Sequence, residues 1–280
     1  MSRKEIDELK TLIKALDIRL KNNEILQEEY ENLKTKYEAK LEEQVSIVRE
    51  NSFLRNVSYV AISGSGKVTD SHISISGSGQ IEGWKGGSIS ISGSGKITDE
   101  EIKVSGSASL PADMQTNVLK ASGSLKVNGS LTTTTLSCSG SIKIEGPLIV
   151  YEKMDLSGSG KIEGEIQAND ALVRSSGALK VDGSIDCYNA ELNGGYKILG
   201  DVVCRDSFNS ELNTKSSISG ELIAGGNVHI EQESRKGFLD VKKITAKGDV
   251  YLEGVSAEYV SGKTVKISSD CKIDTIEETG

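Results

Sequence analysis

Cys187 and Cys204 stand at one offset from a glycine, in Gly183-Ser-Ile-Asp-Cys187 and Gly200-Asp-Val-Val-Cys204. If those glycines mark equivalent points of neighbouring repeats, the two thiols stack about 4.8 Å apart, inside disulfide range. Cys138 and Cys271 complete the set of four, and no two cysteines form C-x-x-C. Reduced thiols filling a small interior column are therefore expected, with no metal centre. The two histidines, His72 and His229, are far apart in the chain, and each is expected to be a solvated strand residue. Ser-Gly-Ser-Gly occurs at 63–66, 76–79, 92–95 and 157–160. It has the glycine of a phosphate loop but not the spacing G-x-x-x-x-G-K-[ST], so Gly64-Ser-Gly66-Lys67 is assigned to a corner that precedes a strand. No catalytic constellation and no cofactor motif emerges, and the expectation is that the protein is not an enzyme.

Charge and compartment narrow the class. Lys+Arg 33 against Asp+Glu 41 gives a net charge of −8, and no basic block supplies the cationic footprint of a nucleic-acid binder. The first ten residues carry acids where a signal peptide needs an apolar run. Apolar stretches such as Leu148-Ile-Val-Tyr151 fall far short of the ~20 residues of a membrane span. The expected place is the cytoplasm, with the inner face of the cell membrane as a second. The expected partners are further copies of the chain and, secondarily, membrane- or envelope-associated proteins; neither nucleic acid nor a small-molecule substrate is expected.

All 30 glycines lie between Gly64 and Gly280, which divides the chain at about residue 56. In the glycine-free part, Leu9, Ile13, Leu16 and Leu20 recur at helical spacing, and Tyr30, Leu33, Tyr37 and Leu41 form a second stripe. Lys21-Asn-Asn-Glu24 separates them with residues that favour a turn. Residues 1–55 are read as a helical hairpin or coiled-coil arm whose stripes either drive oligomerisation or cap the glycine-rich part.

The glycine-rich part is a repeat. Lys126-Val-Asn-Gly129, Lys143-Ile-Glu-Gly146, Lys161-Ile-Glu-Gly164, Lys180-Val-Asp-Gly183, Lys197-Ile-Leu-Gly200 and Ser217-Ile-Ser-Gly220 share a register, with steps of 17, 18, 19, 17 and 20 residues. Within a unit the apolar residues alternate, as half-buried strands require. A unit is too short for a helical crossover, so its strands become parallel neighbours only if the chain coils. Residues 57–280 are read as a mainly β, single-stranded, parallel, right-handed β-helix of about a dozen coils. Ile, Leu and Val are expected to fill a triangular core too narrow for rings, consistent with twelve aromatics (Trp 1, Tyr 8, Phe 3). Outward Lys, Glu and Asp (Lys143, Glu145, Lys161, Glu163) form like-charge ladders that neighbouring columns of opposite sign must offset.

These residues carry two resemblances. Ile198-Leu-Gly-Asp-Val-Val-Cys204, Ile218-Ser-Gly-Glu-Leu-Ile-Ala224 and Ile162-Glu-Gly-Glu-Ile-Gln-Ala168 resemble the repeat of the bactofilin family. That resemblance implies a prokaryotic cytoskeletal β-helix that polymerises end to end without nucleotide and scaffolds cell shape, envelope or motility-related partners. Ile25 to Lys34 is similar to the SHOCT oligomerisation module. The expected assembly sites are the first coil, around Val60 and Ile62, and the last, around Val265, Ile267 and Ile273, with Glu277-Glu278-Thr279 as a candidate cap. Two alternatives stay open: an envelope adhesin-like binding module, and a non-polymerising oligomer held by the helical arm.

Overall fold

A computed structural model describes residues 11–13, 15–16, 19–21, 25, 27–50, 59–69, 72–84, 87–98 and 100–280. The chain divides into two compact units, Met1–Asn56 and Val57–Gly280. In the first, described residues from 11 to 21 are helical, Ile25 lies in a bend, and helix α1 (Gln27–Glu50) comes after it. Leu16 and Ile25 are buried, and Ile13, Leu20, Tyr30, Leu33 and Tyr37 are half-buried. Lys34 Nζ donates to the Tyr30 hydroxyl at 2.8 Å, an i, i+4 contact that holds the aromatic along the helix. Leu41 lies within α1, and Leu9 lies outside the described residues.

The second unit is a β-solenoid of about ten turns. Its strands are numbered β1 to β24 along the chain. One turn shows the plan. β7 (Ser124–Val127) forms one face, and β8 (Leu131–Cys138) bends midway to form the second and third. β9 (Ser141–Ile144) then lies parallel to β7, pairing Leu125 with Ile142 and Lys126 with Lys143. Alternate residues point inward and build continuous columns. One runs Leu110, Val127, Ile144, Ile162, Val181, Ile198, Ile218, Val241, and all of these are buried.

The corners explain the glycine. A Cβ on Gly158 would sit 1.8 Å from the Gly140 carbonyl oxygen, and one on Gly140 would sit 1.9 Å from that of Gly123. Backbone passes over backbone there at rung spacing, leaving no room for a side chain. At another corner a side chain caps the next rung: Asn189 Oδ1 accepts from Ser207 N–H at 2.8 Å and Asn227 Oδ1 from Asp249 N–H at 2.8 Å.

Residues 59–97 correct the expected course of the chain. β1 (Tyr59–Thr69), β2 (His72–Trp84) and β3 (Gly87–Ile97) are antiparallel, not parallel coils. The parallel solenoid begins with β4 (Glu101–Val104) and β5 (Ser107–Leu110), both antiparallel to β3, so about ten turns replace a dozen. The spacing carries the reason. Equivalent glycines Gly64 and Gly77 are 13 residues apart, too few to go round three faces but enough for a hairpin. Each of these strands bends at a glycine with positive φ, Gly64 (111°), Gly77 (125°) and Gly93 (115°). The bends are in register and continue the corner column of the parallel coils.

The core also departs from expectation in admitting rings. Phe208 is fully buried and Tyr196 is 4% exposed. Phe208 stacks beside Ala190, and Tyr196 beside Ser216, so a small residue one rung away supplies the volume. The Tyr196 hydroxyl reaches Ser210 Oγ at 3.1 Å, which satisfies its polar end, and burial pushes its pKa upward.

Replacing Gly158 with Ala is expected to destabilise the solenoid by about 3 kcal/mol, as steric strain in a fixed backbone does. A Cβ on Gly195 meets only a Thr214 methyl, at 2.8 Å, so G195A is expected to cost much less. Urea midpoints of the two variants check the difference.

Candidate self-assembly site

The residues that suggested chemistry resolve into packing. Cys187 and Cys204 pair across adjacent rungs with sulfurs 3.6 Å apart. They belong to the column Ala168, Cys187, Cys204, Ala224, Ala246, all buried. The neighbouring Cys187 thiol, then burial, pushes the Cys204 pKa far up, and burial raises that of Cys138. All four cysteines are free thiols. His72 closes the β1–β2 hairpin: its N–H donates to Thr69 Oγ1 at 3.1 Å, and Nδ1 lies 2.9 Å from the same oxygen. His229 stacks on Tyr251 with centroids 4.9 Å apart and contacts Glu231 at 2.7 Å, on the solvent face. Among the described residues, no group of three His, Cys, Asp or Glu could hold a metal ion. No helix among them is long and apolar enough to cross a membrane.

The outward charges form two interlocked columns. Lys126, Lys143, Lys161, Lys180 and Lys197 succeed one another along one face. Glu145, Glu163 and Asp182 run beside them. Lys143 bridges Glu145 at 2.6 Å and Glu163 at 3.2 Å, while Lys126 reaches Glu145 at 3.1 Å. Lys180 meets Asp182 at 2.7 Å, and Lys161 meets Glu163. Each acid thus bridges lysines of its own or an adjacent rung, which offsets the like-charge repulsion. Hydrogen bonds from these lysines hold the carboxyls of Glu145, Glu163 and Asp182 below their ordinary values.

The unsatisfied surface is at the two ends. At the C-terminal end, among the described residues, β23 (Val265–Ile267) pairs only with β21 (Val250–Leu252), and β24 (Lys272–Glu278) only with β22 (Val255–Gly262). Val265, Ile267 and Ile273 each terminate an inward column, after Val250, Leu252 and Ala257. Val265 and Ile273 are half-buried, and Ile267 is 41% exposed. Ile276, 45% exposed below Val260, ends a further column that sequence reading missed; the alternation Ile273-Asp-Thr-Ile276 breaks there because β24 turns a corner. The expected cap is partial: Glu278 Oε1 accepts from Val265 N–H at 2.9 Å, and Glu277 accepts from the Tyr259 hydroxyl.

At the N-terminal end of the unit, β1 pairs with β2 alone among the described residues. Val60 and Ile62 lie on it, half-buried, and Val68 is 48% exposed. The equivalent residues of β2, Ile73, Ile75 and Ile81, are at most 3% exposed. Sequence reading placed Val60 and Ile62 on a first parallel coil; they belong instead to the edge of an antiparallel sheet. No protein-family model, curated protein or solved structure matches the chain.

Cysteine accessibility and acid stability both test this arrangement. Iodoacetamide at neutral pH is expected to modify half-exposed Cys271 in the native protein and leave Cys138, Cys187 and Cys204 intact until unfolding, as peptide mass spectrometry would register. The depressed carboxyl pKa values contribute stability above the ordinary carboxylate range of about 4, and it is lost as pH falls through the lower folded-state values. E145Q/E163Q is therefore expected to lose less stability than wild type between about pH 5 and pH 3, read from urea midpoints.

Proposed function

We propose that this protein is a non-catalytic structural element that assembles with copies of itself, without nucleotide, into filaments or sheets. Its role is a scaffold for cell shape, envelope or motility-related partners, acting in the cytoplasm or at the inner face of the membrane. The observation that carries this reading is the state of the ends. Apolar columns that are sealed along the solenoid run out at both ends onto strands that, among the described residues, pair on one side alone. A repeat protein that stays monomeric normally covers such ends with polar caps. Among the described residues, short corners leave no long loops to build an active site, Cys187 and Cys204 are packed in the core, and His229 contacts Glu231. The bactofilin-like repeat of residues 162–224 agrees with this reading.

The half-buried stripe Tyr30, Leu33, Tyr37 on α1 favours a second reading, an oligomer held by the helical unit. The two separate cleanly. Purified full-length protein without nucleotide is expected to form polymers visible by negative-stain microscopy, with sedimentation that rises with concentration. I267K/I276K is expected to shorten or abolish them, while L33D/Y37D leaves them intact. The reverse pattern would favour the helical oligomer, and a monomer at every concentration would overturn self-assembly altogether.

A further inference from the structure

The three antiparallel strands repeat one pattern about their bend glycines. In β2 and β3, positions −4, −2, 0, +2 and +4 are Ile73, Ile75, Gly77, Gly79, Ile81 and Ile89, Ile91, Gly93, Gly95, Ile97. Antiparallel pairing about the central glycine sets −2 against +2. Ile75 faces Gly95, Gly79 faces Ile91, and Gly77 faces Gly93. The second glycine is needed because the bend folds the strand onto itself. A Cβ on Gly79 would lie 2.5 Å from Ile75 Cδ1, and one on Gly95 would lie 2.6 Å from Ile91 Cδ1. The isoleucine four residues upstream already fills that place.

β1 carries the same pattern: Val60, Ile62, Gly64, Gly66, Val68. Its inner edge uses the pattern against β2, pairing Ile62 with Gly79 and Gly66 with Ile75. A strand of this form is its own antiparallel complement, since a half-turn about the central glycine exchanges −2 with +2 and −4 with +4. The outer edge of β1 therefore presents to another β1 the register that β2 presents to β3.

We infer that two copies of this chain dock head to head through β1, antiparallel, about a two-fold axis at Gly64. Val60 then faces the partner's Val68, Ile62 the partner's Gly66, and Ser63 the partner's Ser65. Nothing on β1 opposes this. Its eleven residues contain one charge, Lys67, and no proline, and its pairing with β2 has no bulge; charge, proline and bulges are the devices that protect sheet edges from pairing. In the two-fold register Lys67 faces the partner's Ala61, so no like charges meet. The C-terminal strand differs: β24 carries Lys272, Asp274, Glu277 and Glu278 among seven residues. An isologous interface of this kind closes as a dimer at that end. The inference rests on the self-assembly reading and specifies one contact within it.

The test uses the full-length chain and disulfide trapping. Positions 63 and 65 are exposed, and directly opposed antiparallel residues have Cα atoms about 4.5–5.5 Å apart, within disulfide reach. An equimolar mixture of S63C and S65C, oxidised mildly with oxidised glutathione, is expected to give a crosslinked dimer containing both new cysteines. Its yield should exceed by about fivefold that of a Y59C and S65C mixture, whose positions are several residues of pairing out of register. Peptide mass spectrometry distinguishes the new bond from any through Cys271. If the chains associate by sedimentation but the two mixtures crosslink equally, β1 docking is wrong while self-assembly stands. If the chain is monomeric at every concentration, both fall.

Discussion

Backbone hydrogen bonding between rungs holds strands about 4.8 Å apart along the solenoid. That spacing imposes one condition on every residue: the side chain at a position must tolerate its counterpart directly above and below. At corners the condition is severest, and the column Gly106, Gly123, Gly140, Gly158, Gly177 is its outcome, each backbone lying where the next residue's Cβ would be. On the faces it is met by identity, with Ile and Leu stacking on Val and Ile. In places it is met by compensation, as where Phe208 comes after Ala190 or Tyr196 precedes Ser216. Outside, it forces lysine onto lysine, and the acid column two residues on makes that tolerable.

The same condition accounts for the surfaces at the ends. Stacking is satisfied internally for every rung except the terminal ones, where the template has no next copy. The last turn leaves Ile267 and Ile276 exposed, and charges on β24 and the Glu278 contact only partly close it. At the opposite end the chain changes from parallel coils to antiparallel strands, which shifts the edge from a three-faced rung to a single bent strand. A parallel edge is matched by the next rung of a solenoid; an antiparallel edge whose pattern is symmetric about its centre is matched by itself. The two ends are thus chemically distinct surfaces, although both arise from one pairing rule.

Much of this was legible in the residues. The 17–20 residue glycine steps, the period of two, the small column at Ala168, Cys187, Cys204 and Ala224, and the pairing of lysine with acid columns all arise from local pattern. So does the place of Val265, Ile267 and Ile273 on apolar columns, because they keep the alternation of the repeat. The direction of β1 to β3 was not legible in the same way, although the 13-residue step between Gly64 and Gly77 held the clue. Hairpins and coils share the same alternation and differ only in the length between corners. Tyr196 and Phe208 escaped notice as core residues because the volume that admits them belongs to residues one rung away.

The repeat unit, its inward and outward faces, and its corners were thus written into the residues alone, since each is a short-range consequence of alternation and of glycine at regular steps. Which neighbour each strand has, which direction it runs, and which edge is left without a neighbour came only from the folded arrangement. Those depend on contacts between residues separated by a full turn or more, and a strand's own side-chain pattern is the same whether its neighbour is parallel, antiparallel or absent.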